Sequence, residues 1–306
     1  MKKTHVYLKG SRDSYLNVLS FAPEEKPRAI LHILHGMGEH AGRYETFAEF
    51  MVKAGYTVYA HDHRGHGKSV KPNQEVGILG KRDTFDHIIE DVDVVQNYIK
   101  QTHPKVPISM LGHSMGSIIL RRYLQEYSPK IQKAIMMGTL PKYNLFYIKM
   151  MRFLACFLGL FKSNTKRHEM LANLLNDGLI KKMVHPETAF DWLTTDKTIV
   201  KAYIDSPLCG YAYNKRFYKQ FFKAIDYVNK SKNILKTENV PLLFISGQND
   251  PLNNQFVDID KLVDTYRKII EKADVTPMMI EGARHEVLNE VNKAKTYEAL
   301  LEWLDQ

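Results

Sequence analysis

A serine stands between two glycines in "LGHSMGS", where Gly112, Ser114 and Gly116 follow an apolar run and precede another. A hydroxyl is a weak nucleophile at neutral pH. A serine that attacks carbonyl carbon therefore needs a histidine to take its proton and a carboxylate to orient that histidine. It also needs N–H donors aimed at the oxyanion of the transition state. "VPISMLGHS" reads as a strand and the residues after Ser114 as a helix, so the serine falls on a sharp strand-to-helix turn. Such a turn exposes the hydroxyl and points the Met115 N–H, at the helix start, toward the same spot. The glycines are then steric necessities. Two later apolar runs end in suitable partners: "LLFISGQND" delivers Asp250 and "MMIEGARHE" delivers His285. A second N–H is expected from the loop after "AILHILHG", where Met37 stands in His-Gly-Met-Gly.

These residues must be positioned by a particular kind of scaffold. Short apolar, β-branched runs alternate with longer amphipathic stretches, the pattern of a mostly parallel sheet flanked by helices. Eight runs read as strands: "THVYLKG" and "YLNVLSFAP" as an opening antiparallel hairpin, then "RAILHILHG", "YTVYAHD", "VPISMLGHS", "IQKAIMMGT", "VPLLFISGQND" and "VTPMMIEG". Helices are expected near 44–54, over "DTFDHIIEDVDVVQNYIKQTH", after Ser114 to about Tyr127, to about Lys272, and at the end of the chain. The rhythm breaks for roughly 90 residues after the sixth strand. The expected organisation is an α/β core of residues 1–139 and 233–306 with an inserted helical cap, 140–232.

Composition narrows the class. Hydrophobic residues at 44% and charged residues at 25% fit a folded globular chain rather than a disordered one. The opening "MKKTHVYLKGSRDSY" holds no apolar core, so no secretory signal is expected, and two cysteines, Cys156 and Cys209, give no disulfide framework. A reduced cytoplasmic setting, with peripheral contact at the inner membrane surface, is the expectation. The net charge of +9 is localised: between Thr139 and Lys232 there are 16 Lys+Arg against 7 Asp+Glu, and the remainder is balanced. No interleaved basic and aromatic module accompanies it, which argues against nucleic acid.

Taken together, "HGMGEHAGRY", "DHRGHGKS", "GHSMGS", "SGQNDPL" and "GARHE" resemble the monoacylglycerol lipase and lysophospholipase branch of the α/β hydrolases, over about two thirds of the chain. The resemblance implies Ser114 as nucleophile, His285 as base, Asp250 as its orienting acid, and the Met37 and Met115 amides as the oxyanion hole. It also implies hydrolysis of medium- or long-chain acyl esters, monoacylglycerol or lysophospholipid, through an acyl-enzyme with no cofactor and no metal. One departure is Ser206 in "DSPLCG", where the family commonly carries an acid before Pro-Leu. An aminopeptidase or small-ester esterase on the same fold is the nearest alternative. A catalytically silent lipid- or signal-binding homologue is the alternative of another class.

Within the insertion, "YNLFYIKMMRFLACFLGLF" is apolar with Lys149 and Arg152 inside it, and its longest uncharged run, Phe153 to Phe161, is far below the ~20 residues of a spanning helix. It is expected to pack one side on the core and to meet lipid with Lys149, Arg152, Phe153 and Phe157, helped by Lys142, Lys162, Lys166 and Arg167. Phe146 and Cys209 are candidate substrate contacts. Glu39 and Arg43 are candidates either for a polar head group or for pairing with each other. "GHGKS" lacks the first glycine of a phosphate loop, since Asp62 stands there. His61, His63 and His66 in "HDHRGH" suggest a metal cluster, but Gly65 occupies the position where an acid is needed. His35, His40 and His113 are read as supports of loop shape, and Asp62 and Arg64 as holding the floor of the site.

Overall fold

The structure, a computed structural model, describes residues 1–70, 74–127, 130–143, 145–158, 166–271 and 274–306. Lys162 of the proposed lipid face lies outside them. Eight strands form one sheet: β1 (Lys2–Lys9), β2 (Tyr15–Ala22), β3 (Ala29–Leu34), β4 (Tyr56–His61), β5 (Ile108–His113), β6 (Ala134–Met137), β7 (Leu242–Gly247) and β8 (Val275–Ile280). Their spatial order is β1-β2-β4-β3-β5-β6-β7-β8. β1 and β2 are antiparallel, as are β2 and β4, and every later pairing is parallel. The sheet is the mostly parallel one expected from the sequence.

Ten helices accompany it among the described residues. They are α1 (Glu45–Lys53), α2 (Phe85–Thr102), α3 (Met115–Glu126), α4 (Leu145–Leu158), α5 (Glu169–Ile180), α6 (Lys197–Asp205), α7 (Lys215–Val228), α8 (Ser231–Ile234), α9 (Val257–Ile269) and α10 (Lys293–Asp305). The period of two along the central strands explains the layers. Ile30, Met110, Met136 and Phe244 face a core built with α2, α3 and α9. Their chain neighbours Leu31, Leu111, Ile135 and Leu243 face the opposite core, with α1 and α10. Strands β3 to β7 are buried on both faces, which is why they read as unbroken apolar runs.

The stretch between β6 and β7 holds α4 to α8. Phe217, Phe221, Ile225 and Val228 of α7 join the core that contains α2 and α3, so this insertion shares the main hydrophobic cluster. Asn214 starts α7: its side chain accepts the Phe217 N–H at 3.1 Å and donates to Leu79 O at 2.8 Å. α9 ends at Ile269, short of the expected Lys272. No helix among the described residues is long and apolar enough to cross a membrane.

Candidate active site

β5 runs into Ser114, whose φ of 50° and ψ of −114° lie in a region that costs a non-glycine residue energy. The strain is held by neighbours: the Ser114 N–H donates to Met137 O at 2.8 Å, and α3 begins at the next residue. The flanking glycines are sterically required. A Cβ on Gly112 would lie 2.4 Å from Gly116 O, and one on Gly116 would lie 2.0 Å from Leu34 O. The end of β5, the start of α3 and the end of β3 are thus packed backbone to backbone.

Asp250 follows β7, fully buried. Its Oδ1 accepts the Leu252 N–H at 2.9 Å, and its Oδ2 accepts from Ser246 Oγ at 3.2 Å, Asn253 Nδ2 at 3.0 Å and His285 Nδ1 at 2.8 Å. His285 follows β8. Two glycines let its loop fold over the strand ends: a Cβ on Gly247 would lie 2.0 Å from Arg284 O, and one on Gly138 would lie 3.0 Å from His285 Cε1. Because Nδ1 faces a carboxylate it carries the proton, which leaves the lone pair on Nε2. That Nε2 is buried and has no partner among the described residues. Burial pulls the His285 pKa down, but the charge and hydrogen bond of Asp250 outweigh it and leave it raised above 6.5.

Ser114 and His285 border one cavity of about 430 Å³. Gly36, Met37, Glu39 and His113 contribute to its wall from the β3 and β5 ends, and Trp192, Tyr211, Phe221 and Ile225 from the insertion. The Met37 peptide is aimed by its own loop. His35 Nδ1 donates to Gly36 O at 2.8 Å, and a trans peptide points its N–H opposite to its carbonyl, so the Met37 N–H is turned away from His35. His35 is fixed in turn by the His63 N–H, which donates to its Nε2 at 3.0 Å.

Glu39 and Arg43 pair with each other, at 2.9 Å, inside a larger buried cluster. Arg43 makes a fork to Glu286 at 2.6 and 2.7 Å, and Glu39 also accepts from the Gly36 N–H, Tyr44 and His113. Burial alone would raise both carboxyls; hydrogen bonding from His113 and the Arg43 charge hold Glu39 well below its usual range, and the Arg43 charge and hydrogen bonds lower Glu286. Glu39 and Glu286 border the cavity, whereas Arg43 lies behind them.

Other sequence candidates are placed elsewhere. Cys209 is buried against Leu193, Tyr203, Phe190 and Trp192 rather than on the cavity wall, and burial pushes its thiol up to about 11. Phe146 points outward on α4, 73% exposed, away from the cavity. On the same helix Met150, Phe153 and Phe157 are exposed, Lys149 is exposed and Arg152 half-buried, while Ile148, Met151 and Ala155 are buried. No cluster of metal-ligating side chains is present among the described residues. His61, His63 and His66 are buried, and burial lowers the pKa of each. Asp62 accepts the Ala41 and Lys68 N–H groups at 2.8 and 2.7 Å, and Arg64 pairs with Asp91 and Asp83.

Residues that sequence reasoning missed come mainly from the insertion. The Trp192 ring packs tilted against His285, centroids 5.1 Å apart, the Glu286 N–H donates to Leu193 O at 2.7 Å, and Arg284 Nη1 donates to Asp191 O at 2.5 Å and Thr194 O at 3.1 Å. No local periodicity ties 190–196 to a loop ninety residues later.

Comparison with known proteins agrees with this architecture. The family model described as serine aminopeptidase, S33, matches residues 25–292. A monoglyceride lipase homolog of Monkeypox virus is 27% identical over 92% of this chain and 91% of its own length. The monoglyceride lipase of Homo sapiens is 26% identical over 91% of this chain and 82% of its own. A thermostable carboxyl esterase from Bacillus coagulans, solved with glycerol, superimposes with a TM-score of 0.90 at 22% identity, covering 100% of this chain and 98% of that one. A match that runs from before β3 to beyond the His285 loop takes in every element that positions Ser114, Asp250 and His285, and the chain belongs to this S33 hydrolase family, with the α/β-hydrolase fold.

Proposed function

We propose that this protein is a serine ester hydrolase acting on medium- or long-chain acyl esters, monoacylglycerol or lysophospholipid, through an acyl-enzyme. The observation that carries the reading is the buried His285. Its Nδ1 is held by Asp250, and its unpartnered Nε2 borders the same cavity as the strained Ser114 elbow. In the proposed reaction Ser114 Oγ attacks the ester carbonyl carbon while His285 Nε2 takes its proton. The oxyanion lies against the Met37 and Met115 N–H groups. The C–O bond to the leaving alcohol then breaks as His285 returns the proton to that oxygen. Water repeats the sequence on the acyl-Ser114 ester and releases the carboxylic acid. Leu175, Leu179, Phe221, Phe222 and Ile225 on the cavity wall suit an acyl chain, and the monoglyceride lipase relatives support a glycerol ester.

The outer face of α4 is proposed to rest on an anionic bilayer: Phe146, Met150, Phe153 and Phe157 repeat at helical spacing and are all exposed, with Lys149 and Arg152 beside them. Aminopeptidase activity is the second reading, favoured by the family description. A substrate amine needs a carboxylate free to receive it, and both wall carboxylates, Glu39 and Glu286, are already engaged by the Arg43 guanidinium.

The test is release of fatty acid from monooleoylglycerol and lysophosphatidylcholine, side by side, with Ser114→Ala as the blank. Turnover of one lipid sets the head group. Equal rates for wild type and Ser114→Ala on both, with hydrolysis of aminoacyl amides instead, would move the assignment to the peptidase reading.

A further inference from the structure

Four successive peptides form the loop after β3, and each is held by a different group. The Gly36 N–H donates to Glu39 Oε1 at 2.6 Å, and Gly36 O accepts from His35 at 2.8 Å. The Gly38 N–H donates to the Tyr213 hydroxyl at 2.5 Å, and Gly38 O accepts the Gly210 N–H at 2.9 Å. The first two holds are local. The last two come from one short segment of the insertion, more than 170 residues later in the chain.

The direction of the Tyr213 hydrogen bonds is fixed. His66 Nδ1 lies 3.0 Å from Arg64 O, a pure acceptor, so Nδ1 carries the proton and Nε2 the lone pair. Nε2 is 2.8 Å from the Tyr213 oxygen. The phenol therefore donates to His66, and its oxygen receives the Gly38 N–H. Burial holds His66 down at about 3, so it stays a neutral acceptor across the ordinary pH range. The Tyr213 ring is 2% exposed and stacks on Phe217 at 3.9 Å, which prevents the hydroxyl from swinging away.

We propose that Tyr213, oriented by His66, is a positioning residue for the oxyanion hole: it pins the Gly38 peptide and thereby the aim of the adjacent Met37 N–H, so that the hole is complete only with the insertion seated on the β3 loop. This rests on the serine ester hydrolase reading. It adds that the insertion supports the reacting centre itself and not only the acyl pocket.

Tyr213→Phe keeps the ring and its stack but leaves the Gly38 N–H and His66 Nε2 without a partner. The Met37 donor is retained with a looser aim, so the loss is smaller than the 10²–10³ of deleting a donor and is expected at about tenfold. Two rates are expected to fall together: fluorophosphonate labelling of Ser114, and kcat on monooleoylglycerol with KM within about twofold. The fold loss is expected to be constant between about pH 6 and 9, because His66 does not titrate there. Hydrogen exchange of a peptide spanning 35–44 is expected to accelerate. Tyr123→Phe is the comparison, since it deletes another buried hydroxyl, donating to Asp93 at 2.8 Å, remote from the loop. It is expected to lower Tm without altering labelling. A wild-type protein that labels, paired with Tyr213→Phe labelling within twofold of it, would overturn the clamp and leave the ester reading standing. A loss confined to KM would also overturn it. A wild type that neither labels at Ser114 nor turns over ester removes the ester reading, and the clamp's catalytic role with it.

Discussion

Gly116→Ala is the most demanding test of the elbow. The added methyl carbon would sit 2.0 Å from Leu34 O, 2.6 Å from Leu34 C and 2.7 Å from His35 O. All three are backbone atoms, so no side chain can rotate aside. Relief requires the start of α3 and the end of β3 to part by about 1 Å in a region packed at crystal-like density. Overpacking typically costs about 1–3 kcal/mol, and a rigid backbone neighbour puts this site near the upper end, about 3 kcal/mol. For a chain of this size that is a Tm lower by about 5 °C. The same displacement separates the Met115 N–H, on α3, from the Met37 N–H, on the continuation of β3. A 1 Å error at a reacting centre costs on the order of 10²-fold in rate. Differential scanning calorimetry and the rate of fluorophosphonate labelling read the two effects. Gly178→Ala is the matched comparison: it lies in α5 with nothing within 4 Å of a built Cβ, so the same substitution should stabilise by about 0.4–1 kcal/mol and leave labelling alone. If Gly116→Ala behaves like Gly178→Ala, the elbow is not sterically locked and the reasoning fails.

Asp250→Asn should lower kcat by about 10⁴. It should also shift the acid limb of kcat/KM to lower pH, because burial opposes and Asp250 supports the raised His285 pKa. The linked stability has a definite sign: the charged pair stabilises fully below pH 6.5 and fades as pH rises through the raised native value. The urea stability gap between wild type and variant should therefore be wider at pH 6 than at pH 9, and a constant gap would refute the assignment. Arg43→Met should cost about 3–5 kcal/mol at neutral pH, because Glu39 and Glu286 are left as unpaired buried charges. Both carboxyls are held below 4.5 against the effect of burial, so that stabilisation is present above this value and lost as pH falls. The deficit should shrink toward pH 4 in the same denaturation series. Phe153→Glu combined with Phe157→Glu should reduce co-sedimentation with phosphatidylglycerol vesicles at least tenfold, with Tm within about 2 °C; undiminished binding would remove α4 from the lipid contact.

What was legible in the sequence, and what was not, follows from how local each signal is. Strands β3 to β7 read correctly because burial on both faces leaves unbroken apolar runs. Ser114 and Asp250 stood out as candidates because each lies just past one of those runs, and His285 because it follows the edge strand β8. Glu39 and Arg43 were visible as an i,i+4 pair, but the fork to Glu286, 243 positions away, decides where the guanidinium points, and only the closed fold supplies it. That fork draws Arg43 behind the wall. Phe146 reads from the sequence as a candidate substrate contact, yet an apolar helix has two faces, and packing of Ile148 and Met151 turns Phe146 out.

The insertion is where sequence patterns carried least and where the structure adds most. Its helices were expected from composition, but helical periodicity says nothing of the irregular segments between them. Those segments make the decisive contacts: 191–194 hold the His285 loop through Arg284 and Glu286, and 210–213 hold the β3 loop through Gly38. The two loops belong to strands on either side of β5, yet both are tied to the same stretch of chain between β6 and β7. Moving that stretch as a body would release His285 and the Met37 peptide together. The proposed base and the proposed oxyanion donor are therefore both held by contacts from one stretch of chain.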